Sequence, residues 1–103
     1  MYLIQILLPL YRNDGQALPR ALFRQVRDEL VERFGGLTAY TRAPASGYWQ
    51  EDPQAPPNHD DSVIYEVMAA RLERDWWQRY RGELERRFEQ ESLLLRAQRV
   101  ERL

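Results

Sequence analysis

Along residues 2–11, YLIQILLPLY, nearly every position is apolar, and the run stops at the turn-forming RNDG, which predicts a first strand. From Pro19 the period lengthens. Leu22, Phe23, Val26, Leu30 and Phe34 recur at three- and four-residue spacing with Arg and Glu between them, and Gly35-Gly36 closes the run. A helix is expected over 19–34, with Pro in its first turn and Gly at its end. LTAYTRA (37–43) reads as a second strand. Residues 44–61, PASGYWQEDPQAPPNHDD, hold four of the six prolines and read as a long connection, with a short strand allowed at Tyr48-Trp49-Gln50. SVIYEVMA (62–69) gives a third strand. Leu72, Trp76, Trp77, Tyr80, Leu84 and Phe88 set a second helical stripe over 72–89, and SLLLRAQRV (92–100) gives a fourth strand.

The two helices end in nearly the same phrase, ELVERFGGLTAYTRA at 29–43 and ELERRFEQESLLLRA at 83–97. A shift of 54 superposes Glu29 on Glu83, Leu30 on Leu84, Arg33 on Arg87, Phe34 on Phe88 and Arg42-Ala43 on Arg96-Ala97. Helical periodicity alone does not reproduce an Arg-Ala pair inside the strands that follow. The chain therefore reads as one domain, 1–103, of two βαβ halves, 1–43 and 62–101. Interleaved, they give an α+β, ferredoxin-like βαββαβ plait: a four-stranded antiparallel sheet with both helices on one face.

An antiparallel sheet with one wet face should alternate apolar and polar residues. These strands do not. Tyr2, Ile4, Ile6, Leu8 and Leu10 oppose Leu3, Gln5, Leu7, Pro9 and Tyr11, and Val63, Tyr65 and Val67 oppose Ile64, Glu66 and Met68. Leu93, Leu95 and Ala97 oppose Leu94, Arg96 and Gln98. A face this apolar marks an interface, and a second copy packed sheet to sheet about a twofold axis is the economical cover, so a homodimer is expected.

Composition narrows the chemistry. All fifteen basic residues are Arg, the net charge is −1, and neither a nucleic-acid-binding surface nor an acidic tail is indicated. Without Cys there is no disulfide framework and no thiolate; without Lys there is no side-chain Schiff base. A single His leaves no multi-His metal site within one chain, and no metal or cofactor is expected. The apolar start lacks a basic n-region and a cleavage signal, and no stretch approaches the ~20 apolar residues of a membrane span. A cytoplasmic location away from membranes is the default reading.

The doubly apolar sheet and the paired halves resemble the dimeric α/β-barrel superfamily, which includes small monooxygenases, muconolactone-isomerase-type enzymes and haem-degrading proteins. More narrowly, ERFGGLTAYTRAPASGYW, VIYEVM, DWWQRYRGELERRFEQE and the closing VERL are similar to a bacterial family without an assigned activity. The resemblance implies the fold and transfers no catalytic residue, because no His or Trp/Asn/His set over a barrel mouth can be matched.

If face alternation holds, Glu66, Arg96 and, through the repeat, Tyr40 and Arg42 share the face that the dimer encloses. Two arginines there suit a bidentate grip on the carboxylate or phosphate of a small aromatic or aliphatic molecule. Alternatively, Glu66 neutralises Arg42 or Arg96 within the interface. His59, in NHDD, reads as a general base oriented by Asp60 or Asp61, as a metal ligand, or as an exposed loop residue. Tyr48 and Trp49 form a lid or cover an edge strand, whereas Trp76 and Trp77 read as core or helix-flank packing. Arg79 with Glu83 and Arg81 with Glu85 are expected as solvated pairs. P-loop, GxGxxG, HExxH and GxSxG signatures are absent. Three functions fit: a small-molecule-binding homodimer, a cofactor-independent enzyme of the monooxygenase or isomerase kind, and a structural interaction module. Binding comes first, because no acid, base or nucleophile pair announces itself.

Overall fold

The computed structural model describes residues 1–56 and 58–103, without the side chain of residue 43. Its elements follow in the order β1 (Tyr2–Pro9), α1 (Arg20–Phe34), β2 (Thr38–Trp49), β3 (Asn58–Ala69), α2 (Arg74–Arg87) and β4 (Leu95–Arg99). The four strands form one sheet in the order β2-β3-β1-β4, each neighbouring pair antiparallel. The class expected from the pattern, α+β with an antiparallel sheet, holds.

Alternation in β1 sends Ile4, Ile6 and Leu8 to one face, where they meet Val63, Tyr65 and Val67 of β3. Val26 and Leu30 of α1, with Trp77, Tyr80 and Leu84 of α2, complete this core, so both helices cover that one face. Phe88 joins them, and with Ile6, Leu8, Leu30, Leu84 and Val26 it is among the largest fully buried side chains. Each contributes about 1.5–3 kcal/mol of gross burial energy. The repeat is visible in the packing: Leu30 and Leu84 are both buried, as are Val26 and Tyr80, while Leu22 and Trp76 are both half-buried. It extends to the backbone, since Gly35 and Glu89 occupy equivalent helix ends and both take positive φ, 79° and 54°. Trp77 lies in the core, stacking on Phe34, and the half-buried Trp76 packs edge-on to it at the helix flank.

The strand boundaries differ from the sequence reading in instructive places. β1 stops at Pro9 instead of reaching residue 11, although the Leu10 N–H still donates to the Asp61 carbonyl of β3 and an isolated bridge joins Tyr11 to Ala17. β4 begins at Leu95 instead of 92, because Glu85 at the end of α2 captures the Leu93 amide through its carboxylate. The largest change concerns 44–61, expected as a connection. β2 runs on through Trp49 and β3 starts at Asn58, so the connection shrinks to 50–57 and the rest is a strand ribbon. The prolines at 53 and 56 lie in the connection between the two strands and do not mark the whole segment.

Candidate functional site

The face away from the helices carries Leu3, Leu7, Ile64, Met68 and Leu94, with Met68 46% and Leu94 52% exposed. A row of polar side chains crosses it, one from each strand. Gln5 of β1 pairs in register with both Glu66 of β3 and Arg96 of β4. Its amide oxygen accepts from Arg96 Nε at 2.6 Å, and its amide nitrogen donates to Glu66 Oε1. The amide orientation is forced, because a guanidinium only donates and a carboxylate only accepts. Tyr40 of β2 closes the row, its hydroxyl donating to Glu66 Oε2 at 3.2 Å. This hydrogen bond, reinforced by the carboxylate's charge, raises the Tyr40 pKa above its ordinary value.

The chemistry of the row is asymmetric. Both oxygens of Glu66 are engaged, whereas Arg96 spends one of five N–H donors on Gln5. Its terminal nitrogens remain able to grip a planar anion. Of the residues expected to converge, Tyr40, Glu66 and Arg96 do so. Arg42 does not. It falls inside a register shift between Tyr40 and Ala45 and is exposed, two residues beyond the level of Tyr40. Gln5, the hub, is the polar residue that alternation places on that face of β1, and the sequence puts it on the same face as Glu66 and Arg96 without indicating that it joins them.

A second concavity, of about 1260 Å³, opens between the β2–β3 ribbon, the loop after β1 and the approach to β4. Trp49, His59, Asp60, Asp61 and Tyr11 line it. His59 Nε2 lies 3.1 Å from Asp61 Oδ1, and its ring stacks on Tyr48 with centroids 4.8 Å apart. Asp61 is thus the partner, not Asp60, which accepts from the Trp49 indole at 2.9 Å. Residues two apart on a strand share a face, so the His59–Asp61 contact follows from the ribbon that the sequence reading treated as loop. Among the described residues no three His, Asp or Glu side chains gather as a metal site. Trp49 sits in this groove and takes no part in the Gln5 row.

On the helical side, Glu29 receives two hydrogen bonds from Arg87, at 2.6 and 2.9 Å, and one from the Tyr80 hydroxyl at 2.9 Å. Arg87 holds the Glu29 carboxyl below the usual carboxylate range, and burial pushes the Tyr80 hydroxyl far up. This set ties α1 to α2 as a structural clamp. Glu83, expected to pair with Arg79, joins Arg87 instead, while Arg81 and Glu85 do approach to 4.0 Å.

No protein-family model matches the sequence, and no curated protein matches it. Among solved structures the chain is similar to a phage SAM lyase bound to S-methyl-5'-thioadenosine, with a TM-score of 0.61, 16% identity, and 94% of this chain and 79% of the other covered. The same lyase without ligand matches at a TM-score of 0.61 and 15% identity, over 94% of this chain and 78% of the other. At such identity the likeness speaks for a shared fold alone: a small α+β domain built on an antiparallel sheet.

Proposed function

We propose that the chain is a ferredoxin-like plait that pairs with a second copy through its open sheet face, as in dimeric α/β barrels, and binds a small anionic molecule between the two sheets. The element order and the sheet order β2-β3-β1-β4 support the plait. One observation carries the binding reading: the Arg96–Gln5–Glu66–Tyr40 row lies in the middle of an apolar surface. Leu3, Leu7, Ile64, Met68 and Leu94 supply the hydrophobic part of a pairing surface, at roughly 1.5–3 kcal/mol for each side chain fully covered. Enclosure leaves Arg96 in need of an acceptor, since Glu66 is already engaged, and a ligand carboxylate or phosphate meets that need.

Light scattering at tens of micromolar should give twice the chain mass, and Ile64→Arg with Met68→Arg should give the monomer. Benzoate, the simplest planar aromatic anion, should raise the melting temperature of the wild type and not of Arg96→Ala. A wild-type monomer refutes the pairing, and equal benzoate shifts in both chains refute the Arg96 grip.

A second reading follows the fold likeness: an enzyme acting on a SAM-like sulfonium nucleoside in the ribbon groove. Trp49 and Tyr11 beside Asp60 and Asp61 offer that groove aromatic faces and negative charge suited to a cation. Calorimetry with SAM and with S-methyl-5'-thioadenosine, and a chromatographic search for cleavage of SAM, decide for or against it. Here His59→Ala and Asp61→Asn test the one acid–base pair on that wall.

A further inference from the structure

The ribbon formed by residues 45–49 and 58–62 meets β1 only at its base, where Pro9 pairs with Ser62 and the Asp61 carbonyl accepts from Leu10; among the described residues no third strand flanks the rest of it. β1 ends at Pro9, opposite Ser62, while β3 extends four residues further to Asn58, so the ribbon overhangs β1 by about 13 Å. The molecule is correspondingly long, 43 × 30 × 28 Å. A two-stranded ribbon is marginal in water by itself. This one also carries Tyr48, 71% exposed, and Trp49, 45% exposed, with an open groove between it and its own domain. Large aromatic side chains on an unsupported arm are typical anchors for a partner.

Charge selects the partner. Residues 44–61 hold Glu51, Asp52, Asp60 and Asp61 and no arginine, while the whole chain has a net charge of −1, so the remainder is +3. The opposite end of the sheet carries an excess of arginine, three against the one acid Glu101 that lies between Arg99 and Arg102. Tyr2 pairs with both Ala69 and Arg99, which places Arg71, Arg99 and the following Arg102 at that end. Among the described residues, none of these three forms an ion pair within the chain. The acidic arm and the basic end lie at opposite ends of the strands, so one copy cannot join them. Two copies can, if their sheets pack with strands antiparallel.

We propose that each acidic, aromatic ribbon clasps the Arg71, Arg99 and Arg102 end of a second copy, fixing the twofold axis of the dimer perpendicular to the strands. This inference rests on the face-to-face pairing above and adds its direction. Each ribbon then covers the other sheet's end with Tyr48 and Trp49, and the two clasps form together or not at all.

Sedimentation equilibrium at low salt, with circular-dichroism melts to confirm folding, tests it. Glu51→Arg with Asp52→Arg reverses the arm; Arg99→Glu with Arg102→Glu reverses the end. Each variant alone should dimerise at least about tenfold more weakly than the wild type, because like charges face each other twice. Mixed together, the two variants should form a heterodimer tighter than either homodimer, since both clasps regain opposite charges. Tyr48→Ser with Trp49→Ser should weaken the wild-type dimer by a similar factor. If the wild type dimerises and all these variants dimerise equally well, the clasp is refuted and the face pairing stands. If the wild type is monomeric at about 100 μM, both fall.

Discussion

Single side chains in this protein gain their meaning from a partner far along the chain. Glu29 is one of many acids on a helix surface until Arg87, 58 residues away, and Tyr80 close on it from α2. Because Arg87 lowers the Glu29 pKa below its ordinary 4.5 in the folded chain, the interaction stabilises fully above that value and fades as pH falls through the folded one. Glu29→Gln should cost about 1 kcal/mol at neutral pH, toward the low side for a hydrogen-bonded ion pair because solvent reaches both side chains. Urea unfolding at pH 7 and pH 3 checks this: the gap between variant and wild type should shrink at the lower pH. A gap of the same size at both pH values means the charge on Glu29 is irrelevant. The sequence showed Glu29 only as half of a repeated phrase, since i,i+4 logic points along one helix and never across to another.

At the level of elements, period and alternation were the legible quantities. Both helices appear within two residues of their expected ends, and the face that each strand residue occupies is the one alternation assigns. The ribbon was legible only at Tyr48-Trp49, where a short strand was allowed. Prolines and acids in 44–61 mimic a loop, and what makes them strand is the pairing of Ala45 through Trp49 with Ser62 through Asn58, a register that no local signal announces. Arg42 was misplaced for the same reason. The repeat carried it onto Arg96, but the register shift after Tyr40 breaks the equivalence. Where the repeat does hold, it can be tested. Phe88, fully buried and edge-on to Phe23 at 5.3 Å, should cost about 3–5 kcal/mol when cut to Ala. Its half-buried counterpart Phe34 should cost clearly less, and chemical denaturation of both variants ranks them. Equal losses would mean the helix ends are not the asymmetric pair that their burial implies.

For the whole molecule, folding and pairing are linked on the proposed reading. Covering the open face removes Met68, Leu94 and Tyr40 from water only in the dimer, so the melting temperature should climb with protein concentration. Calorimetry between a few and several hundred micromolar reads the slope, and a flat line counts against association. Addition of salt should lower the dimer's stability, because the arm-to-end attraction is screened within about 10 Å at 0.1 M.

The register shift also bears on association through the outer edge of β2. Between Tyr40 and Ala45, β2 takes five steps while β3 takes two from Ile64 to Ser62, and Pro44 stands inside that detour. A newcomer strand laid along the outer side of β2 meets a buckled rail with a missing amide proton, so hydrogen bonding cannot continue past the kink. Growth along the β2 edge is thereby hindered, and on the proposed reading the apolar surface is covered face to face instead.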